Sequence, residues 1–325
     1  MISIFKQKTP ANILLLLVFG ILLKLPMFTH PYVPQINPRD GILFQAILRF
    51  LGSTPFIYPL MAFTFIFLQS LALNRLINEN RMTTKPTYLP AMAYLLVTSL
   101  FPEWNYFSAP LLVNSIIILL LLSLFNIYNE EHAKGTVFNM GLGIGIASFI
   151  FFPSATFLLW TFFALLVMRP FRINEWFLCL LGVTTPYYFY AVYLFLNDQW
   201  NIQKILPYLS VDIPRLQQSI WLACSTFLLC IPFLIGGYHV QNNLRRMLIQ
   251  VRKGWSLILI YLLAAVFVPF VNTTDTFENW VIVAIPFAAF HAPAYLYPSQ
   301  KWFPEVLFWV TVGFVLVYQY YMPGW

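Results

Sequence analysis

Residues 111–125 read LLVNSIIILLLLSLF, with no charged residue and no alternation of apolar and polar positions. A strand of a transmembrane barrel alternates over about ten residues, so this run is a helix. Extended to 109–127 it approaches the ~20 residues needed to cross a hydrocarbon core. Lipid offers nothing to an open backbone, so a spanning segment of this kind must satisfy its own hydrogen bonds. Similar runs occupy 11–28, 55–74, 87–101, 137–152, 155–169, 174–196, 219–238, 255–271, 279–297 and 303–321. The pattern predicts an all-α, polytopic bundle of about eleven spans, one integral membrane domain over 1–325. The composition agrees: 60% of the 325 residues are hydrophobic and only 9% are charged, against about 25% charged in soluble domains.

Charge placement predicts orientation. With the N-terminus in the cytoplasm and sides alternating, thirteen of the eighteen Lys and Arg residues fall inside, among them Lys6, Lys8, Arg75, Arg169, Arg245 and Arg252. Lys24, Arg39, Arg49, Lys204 and Arg215 fall outside. This is the positive-inside bias of a multi-pass bacterial inner-membrane protein. It accounts for the net charge of +7 without a nucleic-acid partner. Lys6 and Lys8 before an apolar run resemble a signal peptide, but Lys24, Pro26 and Met27 stand where small cleavage-site residues belong, so the first span is expected to remain.

Two outer segments are longer than turns. Residues 29–54 hold a Pro-rich stretch followed by an amphipathic piece with Ile42, Leu43, Ala46, Ile47, Phe50 and Leu51, spaced to lie in the interface. Residues 197–218 have a similar character. Inside, 242–254 is a basic stretch suited to an anionic leaflet. Pro153-Ser154 predicts a tight antiparallel hairpin of the fifth and sixth spans, and Gly141, Gly143, Gly145 and Ala147 offer small faces for close helix approach.

Ionisable residues deep in a membrane mark function, and here the charges cluster at span ends. Lys24 is the nearest exception, expected to snorkel to the headgroups. Asp40 precedes the interfacial helix as an N-cap or as a general base at an outer cavity. Glu103, in the outer turn Phe101-Pro102-Glu103-Trp104, is a second candidate acid, or a solvated turn residue like Asp275 and Glu278. His132, His239 and His291 fall near one side without metal-ligand spacing. Neither a metal nor another cofactor is expected. The three cysteines lie in spans and read as small apolar residues.

The stretch around 137–197, GLGIGIASFIFFPSATFLLWTFFALL then RPFRINEWFLCLLGVTTPYYFYAVYLFLND, resembles the middle helices of GT-C-type glycosyltransferases, which take sugars from polyprenyl-phosphate donors. The resemblance implies a catalytic acid after the first span beside interfacial helices, where Asp40 stands. It implies Glu103 as a further acid and Arg39, Arg49, Lys204 and Arg215 as phosphate partners. Gly41 replaces a second acid of that pattern, and Asn114 an Asp entering the fourth span. The whole chain also resembles a family of Bacteroidota inner-membrane proteins of uncharacterised activity. The expected function is sugar transfer at the outer face. The alternatives are a non-catalytic subunit of an envelope export or assembly complex, with a membrane-protein partner, and a lipid or solute transporter.

Overall fold

A computed structural model describes residues 2–36, 40–130, 133–201, 210–211, 219–272, 276–300 and 302–321. Fourteen α-helices are described: α1 (Ile2–Phe5), α2 (Ala11–Lys24), α3 (Pro26–Thr29), α4 (Ile42–Leu51), α5 (Ile57–Glu79), α6 (Leu89–Thr98), α7 (Ala109–Asn126), α8 (Lys134–Ile150), α9 (Phe157–Met168), α10 (Ile173–Leu196), α11 (Ile220–Asn243), α12 (Ile249–Phe267), α13 (Ala284–Leu296) and α14 (Trp302–Tyr321). The only described β pairing is a single bridge between Val211 and Val271.

Each expected span coincides with a helix, but not each helix is long. Among the described residues seven helical stretches are long and apolar enough to cross a membrane: Ile57–Glu79, Ala109–Asn126, Ile173–Leu196, Ile220–Arg246, Ile249–Phe270, Phe277–Leu296 and Trp302–Tyr320. The protein is therefore a multi-pass membrane protein. The remaining helices at expected spans, α2, α6, α8 and α9, fall short, and α6 has only 10 residues. At 1.5 Å per residue that is half of a ~30 Å hydrocarbon core. The reason is position. All ten residues of α6 are buried, packed between α5 and α13, so protein and not lipid surrounds them. By contrast 17% of the most apolar 18-residue stretch of α10 is buried, against 83% of that in 277–296. Exposed Phe50, Leu196 and Ile220 belong to the peripheral helices, as lipid contact requires.

Close packing follows the glycines. A Cβ on Gly141 would strike the carbonyl oxygen of Cys179, one on Gly145 that of Val183, and one on Gly182 that of Phe138. Bare backbone on both helices thus lets α8 and α10 meet at main-chain contact. Gly143 points the other way, to the Leu120 side chain of α7. The short turn Phe152–Thr156 does join α8 to α9, but the expected hairpin opens out. α9 packs mainly on α12, where Phe157 stacks on Tyr261, Trp160 meets both rings edge-on, and Trp160 Nε1–H donates to the Leu257 carbonyl at 3.3 Å.

Contacts sort the turns into two groups. At one end Tyr88 N–H donates to the Phe5 carbonyl at 2.8 Å, and Thr84 N–H to the Tyr297 hydroxyl at 3.3 Å. There too Lys253 lies 5.0 Å from the Tyr128 ring centroid. Arg169, buried at that end, donates to the Ile127 and Glu130 carbonyls and pairs with Glu175 at 3.4 Å. These are the segments expected inside. At the other end the segments expected outside converge. Tyr32 stacks on Tyr106 with centroids 4.2 Å apart, Gly41 abuts the Phe149 and Ile150 carbonyls, and Asn272 N–H donates to the Ser210 carbonyl at 2.8 Å.

Candidate functional site

At this second end a cavity of about 450 Å³ opens between the segments before α4, before α7, after α8 and before α13. That volume lies within the ~300–1,000 Å³ of small-molecule sites. Its walls mix Tyr32, Phe44, Phe107 and Phe151 with Asp40, Glu278, Ser108, Asn272 and Asn279. Asp40 therefore does border a cavity at the end assigned to the outside.

The local sequence explains the placement. Gly41, not Asp40, is the N-cap of α4, and no side chain caps that helix. The Asp40 carbonyl instead accepts from Gln45 Nε2–H at 2.9 Å. Only glycine fits at 41, because a Cβ would collide with the Phe149 and Ile150 carbonyls. The second acid of the glycosyltransferase pattern has no room there. α4 buries Phe44 and Leu48 and leaves Ile42, Leu43 and Phe50 exposed, so the cavity adjoins an apolar surface element.

Glu103 does not line the cavity. Its carboxylate accepts the backbone N–H of Phe277, while Trp104 Nε1–H donates to the Phe277 carbonyl at 3.0 Å. These bonds anchor the 3₁₀ turn Phe277–Val283 that carries Glu278. Burial pushes the Glu103 carboxyl above its ordinary value, and the Phe277 N–H offsets part of that rise. The field of the acids is felt at the neighbouring phenols. Tyr32 is raised by burial and by Glu278, Glu103 and Asp40. Tyr106 is pushed up to about 12 by burial, Glu103 and Glu278.

Glu278 is the site residue that sequence reasoning passed over as a solvated turn acid. It is half-buried, lines the cavity, and makes no hydrogen bond or ion pair among the described residues. Lys24 is also corrected. It does not snorkel: it is fully buried, and its Nζ donates to Asn105 Oδ1, which ties α2 to the same turn as Glu103. Arg49 is exposed on α4 and does not line the cavity. Arg39, Lys204, Arg215, His132, Asp275 and most of 197–218 lie outside the described residues. Asn114 is buried in α7, where its Nδ2–H donates to the Val281 carbonyl at 3.0 Å.

Among the described residues no cluster of three His, Cys, Asp or Glu could hold a metal ion. His291 instead contacts the Leu229 carbonyl at 2.8 Å, and His239 faces the Tyr297 ring. No curated protein and no solved structure matches the chain. A family model does match, over residues 41–323, and by that match the chain belongs to DUF6427, a family of unknown function.

Proposed function

We propose that the protein is a transferase of the inner membrane, with eleven crossings, that moves a sugar from a polyprenyl-phosphate donor to an acceptor hydroxyl at the outer face. The observation that carries this reading is the cavity that Asp40 borders, beside an amphipathic helix at the end where the outer turns meet. A solid bundle would have favoured a scaffold. In the step proposed, the Asp40 carboxylate takes the proton of the acceptor hydroxyl. The acceptor oxygen bonds to the anomeric carbon, and the bond from that carbon to the phosphate oxygen breaks. Its electron pair leaves with the polyprenyl phosphate. Arg39, next to Asp40 in the chain, and Lys204 and Arg215 of the second outer loop are assigned to the departing phosphate through charge-assisted bonds. Arg49 has no part in the cavity.

The test is Asp40→Asn at native expression, with lipid-linked sugars and surface glycans profiled beside a full deletion. The reading expects both strains to lose the same product. A product lost only in the deletion takes Asp40 out of the chemistry. A non-catalytic subunit is the second reading, favoured because no described residue lining the cavity is basic. It expects a stoichiometric membrane-protein partner in mild detergent and normal glycans in Asp40→Asn.

A further inference from the structure

We propose that the cavity binds a ligand carrying an organic ammonium group, held by Glu278 with help from Ser108. This rests on reading the cavity as the acceptor site, and it names the acceptor as an amine-bearing molecule.

Two unsatisfied groups point into the same space. The Glu278 carboxylate, half-buried, has neither a hydrogen-bond donor nor a cation among the described residues. Taking a carboxylate from water without a partner costs several kcal/mol. The Ser108 side chain lines the same cavity, its residue is only 5% exposed, and it has no hydrogen bond among the described residues. Neither is among the sealed unpaired atoms of the core, so both stay reachable from the cavity. A neutral hydroxyl would supply one donor to Glu278 and no charge. An ammonium supplies three donors and the opposite charge, which leaves donors over for the Ser108 oxygen in the same cavity.

The surroundings select the same chemistry. Asp40 shares the cavity wall, and Glu103 sits behind the turn that carries Glu278. Their combined field reaches Tyr32. Tyr32, Phe44 and Phe107 line the same cavity and add aromatic rings, whose faces attract cations. At the Glu278 wall, acids and aromatic faces together favour a positively charged acceptor group over an anionic or neutral one. The exposed apolar edge of α4 beside the cavity leaves two sources open, a free amino sugar or the amine of a lipid headgroup.

The experiment uses the full chain in nanodiscs and reads thermal unfolding. Glucosamine is titrated against N-acetylglucosamine in phosphatidylcholine discs. In parallel, discs containing phosphatidylethanolamine are compared with discs containing its N-acylated form. Stabilisation by glucosamine alone identifies a soluble amine, and stabilisation by phosphatidylethanolamine alone identifies a lipid-borne one. In either case Glu278→Gln should weaken the response on the order of tenfold or more, the loss of a charge-assisted bond, and Ser108→Ala, the gentler change, should weaken it less. Equal stabilisation by the N-acylated probes overturns the proposal. So does an undiminished response in folded Glu278→Gln, or no response to either amine. Product loss in Asp40→Asn together with an ammonium response that ignores Glu278 would sink this ligand assignment and leave the transferase standing. A Glu278-dependent response with unchanged products in Asp40→Asn would do the reverse.

Discussion

The carboxylate of Glu103 accepts the backbone N–H of Phe277, a bond that links residues 174 positions apart in the chain. It fixes the start of the turn that carries Glu278, so the wall of the cavity depends on an acid that does not itself face it. Burial raises the Glu103 carboxyl above its ordinary 4.5. A carboxyl raised on folding favours the protonated folded state. Its contribution is complete below the ordinary value and is lost as pH rises through the raised one. Unfolding temperature should therefore fall as pH rises above about 4.5, and Glu103→Gln should flatten part of that fall. A Glu103→Gln profile parallel to the parent's would remove Glu103 as a source.

Lys24 should prove costly to the fold. Its amino group is fully buried, with Asn105 as its hydrogen-bond partner, and burying such a group without an opposite charge among the described residues costs free energy that an apolar side chain of similar length does not. Lys24→Met should unfold at the parent's temperature or above it, while Asn105→Leu, which leaves the buried amino group without its acceptor, should unfold lower. The reverse order in a thermal melt would contradict this.

The α8–α10 seam leaves no room for a side chain at Gly141 or Gly182. Because Gly141 and Gly182 face carbonyl oxygens of the opposing helix, Gly141→Leu should destabilise by about 2 kcal/mol or more through overpacking. Gly237, which faces open space on α11, is the control: Gly237→Leu should change little. Detergent-denaturation midpoints measure both.

At the opposite end Arg169 and Glu175 form a buried pair, with side chains 8% and 6% exposed. Arg169 also serves the Ile127 and Glu130 carbonyls. Arg169→Met leaves Glu175 without its buried partner, though exposed Arg172 remains 3.9 Å away. The expected loss is about 3 kcal/mol, and Glu175→Gln in the Arg169→Met background should recover part of it. No recovery would mean that the carbonyl contacts dominate.

The helices were legible because hydrophobic runs bounded by polar residues report where the chain leaves lipid. The expected span 109–127 is α7, Ala109–Asn126. Ends were less legible where polar residues continue a helix past the apolar run. α5 runs on to Glu79, helped by the Arg75–Glu79 pair at 2.8 Å, and α12 begins at Ile249, before Arg252 and Lys253. The brevity of α6 was hidden, since hydropathy does not distinguish a neighbour made of lipid from one made of protein. Within the site, Asp40 could be read because it follows a span and precedes an amphipathic helix. Glu278 and Lys24 could not. Each owes its environment to partners far away in the chain, in the bonds of Glu103 to Phe277 and Lys24 to Asn105, and no local pattern encodes those.

The arrangement of turns on opposite faces is what the cavity, its access and its chemistry all require. The direct measurement is labelling of single cysteines in a cysteine-free background with a membrane-impermeant maleimide. Asp40→Cys should react in intact cells, and Arg246→Cys only after the membrane is permeabilised. Reaction of both from the same side would contradict the account.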